Sequence, residues 1–207
     1  MQSLIFPGQG SQVVGMGSEF YENFDLVRKI FDQADEKLKY PISKIILDGP
    51  DSELQLTKNT QPAILTVSYS IFKVMKEEFN YDLNKTKFFA GHSLGEYSAL
   101  VCSESLNFED ALFLLHERGK AMQEAVPIGE GSMVAVLGMK IKDIKDLLKL
   151  NEQEKGICEI ANDNADGQVI LSGHKEKIEN IQIYLKEKKN KIYSLKGKRT
   201  FSLLINE

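Results

Sequence analysis

Apolar runs and segments of helical period alternate along the first 130 residues. Residues 3–6 and 86–90 are short apolar runs that end at proline or glycine, as buried strands do where they enter a loop. Apolar residues recur at helical spacing over 24–38, from 59 to about 79, and from 107 to about 124. This alternation predicts an α/β architecture.

Capping residues mark where two of these helices begin. Asn59 is a capping-type residue, and Pro62 then falls in the predicted first turn, where its missing N–H has no partner to lose. Asn107 can cap the last helix, and Glu109 and Asp110 complement the positive end of its dipole.

A different pattern follows the glycines at 129 and 131. The segment 162–167 is rich in turn residues and separates two short apolar runs. The predicted strands are 133–137, 157–161, 168–171 and 191–195, and the predicted helices are 141–150 and 176–188. Their order, βαββαβ, is that of a ferredoxin-like lobe. We therefore expect a large α/β lobe over 1–130, a small lobe over 131–196 and a divergent tail over 197–207.

Composition and charge narrow the function classes. Of the 207 residues, 42% are hydrophobic and 27% charged, which is typical of a globular protein and excludes a disordered or disulfide-stapled chain. The net charge of −4 argues against a nucleic-acid partner. No apolar run is long enough to span a bilayer, and the N-terminus lacks the basic segment of a signal peptide. We expect a cytoplasmic protein that binds neither membrane nor nucleic acid.

Two further composition features concern cysteine and lysine. Cys102 and Cys158 lie among apolar neighbours, outside any metal-ligand spacing, and are expected to be reduced thiols without a metal. The basic residues that begin at Lys186 are either a solvated helix end or a docking site for an acidic partner.

The strongest motif is Gly91-His92-Ser93-Leu94-Gly95, of the form G-x-S-x-G, between a predicted strand and a predicted helix over 96–101. The glycines permit a sharp turn that holds the serine in a strained position with its hydroxyl exposed. The N–H of Leu94 then points to where an oxyanion would form, and the helix N-terminus adds partial positive charge. We interpret Ser93 as a nucleophile.

A glycine-rich loop follows the first predicted strand. The spacing of Gly8, Gly10 and Gly15 does not match the dinucleotide-binding pattern, and no Walker A lysine follows. What remains is a backbone that can approach a ligand closely. The loop either supplies a second oxyanion-binding N–H or is a structural turn.

Arg118 lies on the apolar stripe of its predicted helix, which is formed by Ala111, Leu115, Arg118 and Met122. A guanidinium in such a place needs a partner, because burying it unpaired is strongly unfavourable. The partner is either a protein carboxylate or a substrate carboxylate held by two parallel N–H···O bonds, a geometry that lysine does not provide.

Together these segments resemble the malonyl-CoA:acyl-carrier-protein transacylases of fatty-acid synthesis, which are related to the acyltransferase domains of polyketide synthases. The resemblance covers about residues 1–196 and keeps the family's order and spacing. The matching segments are 6–12, 59–63, 91–100, 118–123 and 168–173. The resemblance implies a hydrolase-like α/β large lobe, incomplete in this chain, with an inserted ferredoxin-like βαββαβ small lobe.

The resemblance also implies a mechanism. Ser93 would attack the malonyl thioester of coenzyme A and pass the malonyl group to the phosphopantetheine thiol of acyl carrier protein through an acyl-enzyme. The backbone N–H groups of Gln9 and Leu94 would bind the oxyanion, and Arg118 would pair with the malonyl carboxylate. Coenzyme A takes part as a thioester substrate, and we expect no permanently bound cofactor. Other residues expected near the pocket are Gln61, His92 and Met122.

The chain departs from the family at the general base. His92 is adjacent to Ser93 and points away from it in such a turn, His116 lies on a different helix face from Arg118, and His174 is expected as a surface residue or helix cap. The family's catalytic histidine follows the small lobe in a small-Pro-Phe-His segment, where this chain has Phe201 and then Ser202.

This departure predicts a chain that is truncated relative to the family and weakly active or inactive, with apolar surface exposed where strands of the large lobe are missing. A family-like Val-Ser-Ala-Pro-Phe-His-Cys segment, translated one nucleotide out of frame, can give the tail residues 197–203, so a frameshift is our hypothesis for the tail.

Two other functions stay open at this point. A serine esterase or lipase shares the G-x-S-x-G motif but has no use for Arg118 on an apolar face. A non-catalytic module that binds carrier protein would need no histidine.

Overall fold

The computed structural model describes residues 2–125, 130–153, 155–187 and 191–194. Two compact units divide between Ala121 and Met122, within the last turns of one helix. The sequence places the boundary between its lobes at 130–131, and the domain bounds stay a prediction. No helix among the described residues is both long and apolar enough to cross a membrane.

The first unit consists mainly of helices around a short parallel sheet. Its elements are β1 (Gln2–Phe6), α1 (Ser18–Asn23), α2 (Asp25–Leu38), α3 (Ile42–Leu47), α4 (Asp51–Leu54), α5 (Thr57–Glu77), a 3₁₀ turn (Leu83–Lys85), β2 (Thr86–Gly91), α6 (Gly95–Cys102) and α7 (Phe108–Glu124). The predicted strands and long helices are present within a few residues of their expected bounds. The short helices α1 and α3 were not predicted, because six residues are too few to show a helical period.

The core of the first unit is built around α5, which buries residues on most of its surface. Its apolar residues pack with those of α2, α3 and α7 in one cluster, which includes Phe31, Ile46, Leu65 and Leu112. Within the described residues, β1 pairs only with β2, and Ile5 and Phe88 are 78% and 56% exposed. Large apolar side chains therefore lie at the surface beside this small sheet.

The beginning of α5 corrects the sequence prediction. The helix begins at Thr57, so Pro62 is its sixth residue and lies beyond the first turn. Proline there leaves the carbonyl of Lys58, four residues earlier, without its helical N–H partner. The ring Nδ1 of His116, 3.0 Å from that carbonyl oxygen, satisfies it, which makes Pro62 tolerable inside the helix. Asn59 is not the cap; its side chain donates to the carbonyl of Glu53 over 2.9 Å.

The second unit has the predicted βαββαβ order, which confirms the ferredoxin-like part of the fold. Its elements are β3 (Gly131–Leu137), α8 (Ile141–Leu150), β4 (Cys158–Ala165), β5 (Gln168–His174), α9 (Lys175–Glu187) and β6 (Lys191–Ser194). The strands lie in the order β4-β5-β3-β6 with antiparallel neighbours. The apolar faces of α8 and α9 cover one side of this sheet through residues such as Ile144 and Ile178.

Residues 162–165 were predicted as a turn and belong to β4 instead. They pair with β5 through two register shifts, so the pairing overrides the low strand propensity of their Asn and Asp residues. The turn itself consists of Asp166 and Gly167 alone, with Gly167 at φ 76°. An Asp-Gly pair is favoured in a two-residue hairpin because glycine adopts positive φ without strain.

Candidate active site

Ser93 lies in a tight turn between β2 and α6, as the motif predicts. Its φ of 55° is in the left-handed region, and the residue is exposed. The turn requires both flanking glycines. A Cβ on Gly91 would overlap the backbone of Gly95, and a Cβ on Gly95 would lie 2.5 Å from the carbonyl oxygen of Phe6. Larger residues at either position would push the turn open.

Parallel pairing of β1 and β2 brings the glycine-rich loop beside this turn. Phe6 and Gly91 are partners in register at the carboxyl ends of the two strands, so the loops that follow them meet. The N–H of His92 donates to the carbonyl of Phe6 over 3.2 Å. A Cβ on Gly8 would lie 2.6 Å from Nδ1 of His92. The His92 ring therefore lies over Gly8, which is why this position needs glycine.

Several backbone N–H groups at this junction have no hydrogen-bond acceptor among the residues that the structure describes. They include those of Gln9, in the loop after β1, and of Leu94, which caps α6. The Leu94 side chain is 1% exposed and anchors the turn in the core. Donors of this kind beside an exposed serine are what an oxyanion site requires.

Arg118 on α7 links the serine to α5. Its Nη1 donates to Oε1 of Gln61 over 2.6 Å, and its Nη2 donates to Oγ of Ser93 over 3.1 Å. Both partners are neutral, and no carboxylate of the described residues lies within 4.0 Å of the guanidinium. Gln61 is fully buried, so the arginine is held by a rigid support. A guanidinium with neutral partners keeps its charge available for an anionic ligand.

Two residues that sequence reasoning did not assign to the site hold Arg118 in place. A Cβ on Gly119 would lie 2.5 Å from Cα of Lys58 and 2.7 Å from the carbonyl oxygen of Thr57, so α7 lies directly against the first turn of α5. His116, on the same helix, contacts the Lys58 carbonyl and lies 3.3 Å from the hydroxyl of Tyr40. The sequence feature that could have pointed to His116 is Pro62. Its missing N–H leaves the carbonyl of Lys58 in need of a donor from another part of the chain.

The rings of His92, His116 and His174 make no hydrogen bond to Ser93 in the structure. The ring of His92 lies over Gly8, and Nδ1 of His116 is hydrogen-bonded to the carbonyl of Lys58. His174, in the second unit, is exposed and directly precedes α9, as expected of a surface residue at a helix start. It also ends β5, and its Nδ1 accepts from the N–H of Ile157 over 3.1 Å. The family segment that ends at Ser202 lies outside the described residues.

The remaining predicted residues occupy less central places. The side chain of Gln9 donates to the hydroxyl of Thr57 over 3.5 Å. Met122 is half-buried near the end of α7, in the second unit. Across 2–125, 130–153, 155–187 and 191–194, no cluster of three His, Cys, Asp or Glu side chains could hold a metal ion.

Comparison with known proteins identifies close relatives. A family model described as "Acyl transferase domain" matches residues 3–192. The malonyl CoA-acyl carrier protein transacylase of Bacillus subtilis (strain 168) is 44% identical over 177 residues, which are 86% of this chain and 55% of that protein. The chain thus spans little more than half the length of this relative.

Solved structures agree with the fold. The acyl-carrier-protein-S-malonyltransferase of Bartonella henselae matches with a TM-score of 0.88 at 40% identity, over 97% of this chain and 62% of that one. A malonyl-transacylase solved in complex with a type II PKS acyl-carrier protein matches with a TM-score of 0.87 at 37% identity, over 96% of this chain and 63% of that one. These likenesses confirm the α/β class predicted from the sequence.

Proposed function

This chain belongs to the acyl transferase family, and we propose that it transfers a malonyl group from malonyl-CoA to the phosphopantetheine thiol of an acyl carrier protein, in fatty-acid synthesis. The observation that carries the proposal is the pair of hydrogen bonds that Arg118 makes, one to Gln61 and one to Ser93. They hold a cation within reach of any group attached to the serine.

The first step is attack of Ser93 Oγ on the thioester carbonyl. The Oγ–C bond forms, the C–S bond breaks, and coenzyme A leaves as a thiol that takes up the proton of the serine. Negative charge gathers on the carbonyl oxygen in the transition state, and the N–H groups of Gln9 and Leu94 are the donors that would stabilise it. In the second step the thiol sulfur of the carrier protein attacks the same carbonyl: the C–S bond forms, the Oγ–C bond breaks, and the proton of the thiol returns to Oγ of Ser93.

Selection of malonyl over acetyl groups follows from Arg118. A malonyl ester of Ser93 extends toward the guanidinium that contacts Oγ in the unacylated protein. Its free carboxylate replaces Oγ as the acceptor of Nη2. The hydrogen bond from Nη1 to Gln61 is kept and continues to orient the guanidinium of Arg118. An acetyl group offers no anion, so the same site gains nothing from it.

The proton of Ser93 needs an acceptor, and a guanidinium cannot be one. No imidazole in the described part of the chain makes a hydrogen bond to Ser93, so slow turnover by this polypeptide alone stays our prediction. Removing the histidine of a serine enzyme lowers kcat by up to about 10⁶. The acyl carrier protein as partner and a cytoplasmic location also stay predictions. The complex of a related malonyl-transacylase with a carrier protein supports the first.

Intact-protein mass spectrometry after incubation with malonyl-CoA tests the proposal. We expect the mass to rise by one malonyl group, in wild type and not in Ser93→Ala, and we expect the rise to be faster when imidazole is added as an external base. Acetyl-CoA serves as the matched substrate control and should label the protein far less. A malonyl label that persists in Ser93→Ala would contradict the assignment.

The same samples distinguish the two other functions. Release of free acid from simple esters, unchanged in Arg118→Ala, would indicate an esterase. Carrier-protein binding that survives Ser93→Ala, in a wild type that forms no acyl-enzyme, would indicate a binding module.

A further inference from the structure

A chain of side-chain amides holds the loop that contains Gln9. The N–H of Gly10 donates to Oε1 of Gln12 over 2.7 Å. Nε2 of Gln12 donates to Oε1 of Gln55 over 2.6 Å, and Nε2 of Gln55 donates to a carboxylate oxygen of Asp51 over 3.0 Å. A backbone N–H can only donate and a carboxylate can only accept, so the two ends fix the orientation of both amides.

The other supports of the loop lie before Gly10, where the His92 ring packs over Gly8 and the Gln9 side chain donates to Thr57. Gly10 has a φ of 106°, and a Cβ built on it would meet no atom within 4 Å, so packing does not hold it. Gln12 is 8% exposed, and a buried amide must keep its hydrogen bonds to remain there. The hydrogen bond from Gly10 to Gln12 therefore restricts the peptide plane that follows Gln9.

The far end of the chain leads to the support of Arg118. Gln55 directly follows α4 and lies two residues before α5. The first turns of α5 contact Gln9 through Thr57 and bind Arg118 through Gln61. Residues 55–61, which we call the support segment, thus hold both the loop of Gln9 and the guanidinium.

We propose that Gln12, held by Gln55, is a positioning residue that presets the N–H of Gln9 for the oxyanion formed when Ser93 is acylated. Gln12 touches neither the serine nor a reacting atom. It acts through the Gly10 N–H, which limits rotation about ψ of Gln9 and so fixes the loop before substrate arrives. Such preorganisation favours the transition state more than substrate binding, so it changes the rate of acylation rather than affinity. The proposal rests on the proposed transferase function.

Two substitutions at Gln12 separate positioning from stability. Gln12→Glu keeps an oxygen that accepts from Gly10 but loses the donor to Gln55, and Gln12→Leu loses both. We expect Gln12→Leu to slow malonylation of Ser93 about tenfold, equivalent to about 1.4 kcal/mol, with an unchanged Kd for malonyl-CoA measured in the Ser93→Ala background. Gln12→Glu should acylate faster than Gln12→Leu, because it keeps the acceptor for Gly10, although both variants lose stability. Gln33→Leu, at an exposed position of α2, is the matched control.

A double variant tests the role of Gln55. Because Gln55 acts through Gln12, Gln12→Leu with Gln55→Leu should acylate no more slowly than Gln12→Leu alone. Wild-type acylation by Gln12→Leu, or an equal loss of rate in Gln12→Leu and Gln12→Glu, would overturn the proposal.

A second measurement keeps this result separate from the proposed function. If wild type forms no malonyl-Ser93, the transferase proposal fails, and hydrogen exchange at the Gly10 amide decides the positioning proposal alone. Slow exchange in wild type and Gln12→Glu with fast exchange in Gln12→Leu would support it. Equal exchange in all three proteins would overturn it.

Discussion

The contact between Gly119 and the first turn of α5 gives the sharpest test of how Arg118 is held. In Gly119→Ala, the new Cβ would lie 2.5 Å from Cα of Lys58, about 0.9 Å short of the 3.4 Å at which ordinary contact begins. The opposing atoms are backbone and cannot rotate away. Helix α7 must therefore move by roughly 1 Å relative to α5, and Arg118, the adjacent residue, moves with it.

The two expected effects differ in size. Overpacking costs about 1–3 kcal/mol, and alanine regains about 1 kcal/mol of helix propensity over glycine, so the free energy of unfolding should fall by only about 0–2 kcal/mol. A 1 Å displacement of a positioned group can slow a reaction about 10²-fold. Gly119→Ala should therefore lose malonylation of Ser93 far beyond its loss of stability.

Urea unfolding and time-resolved intact mass with malonyl-CoA measure these two quantities. Ala121→Gly is the matched control, because Ala121 is exposed on the same helix. It should lose about 1 kcal/mol of stability and acylate at the wild-type rate. A Gly119→Ala variant that is more stable than wild type and acylates normally would refute the contact.

Three further predictions concern recognition, pH and the hairpin. Arg118→Ala should lower the preference for malonyl-CoA over acetyl-CoA in Ser93 labelling by about 10- to 10²-fold, because it removes a hydrogen bond between charged groups. An unchanged ratio would show that Arg118 does not bind the carboxylate. Burial raises the pKa of the Cys102 thiol from 9.0 to about 12, so its stabilising contribution is complete below pH 9 and is lost as the pH rises from there toward 12; Cys102→Ala should flatten the decline of unfolding free energy between pH 8 and 10. Gly167→Ala should destabilise the protein by about 1 kcal/mol in urea, because φ is positive there, whereas Gly167→Asn should lose less.

Sequence patterns were most reliable where one physical cause acts locally. The apolar period predicted α2 and α7 because each helix has one buried face, and the G-x-S-x-G spacing predicted the turn at Ser93 because only glycine fits beside it. Composition misled at 162–165, where pairing with β5 outweighs the turn preference of Asn and Asp.

The supports of the site were not visible in the sequence, because their partners are distant along the chain. Gln12 and Gln55 are 43 residues apart, and Arg118 and Gln61 are 57 apart. No period or spacing relates such pairs. Pro62 indicates that the carbonyl of Lys58 needs a donor other than a helical N–H only once the helix is known to begin at Thr57. The sequence pattern favours Pro62 in the first turn, where a proline needs no replacement donor.

The support segment couples oxyanion stabilisation by the loop of Gln9 to carboxylate recognition by Arg118. It binds the loop of Gln9 through Gln55 and Thr57, and it binds Arg118 through Gln61. Oxyanion stabilisation by Gln9 and carboxylate recognition by Arg118 therefore depend on one support, even though these two residues lie near opposite ends of the sequence of the first unit. A substitution confined to the loop should change the rates of acylation by malonyl and acetyl groups alike. A substitution at Arg118 should slow acylation by malonyl groups and leave acylation by acetyl groups unchanged. A displacement of residues 55–61 must change both together, because neither group can keep its place relative to Ser93 when the helix that holds them moves.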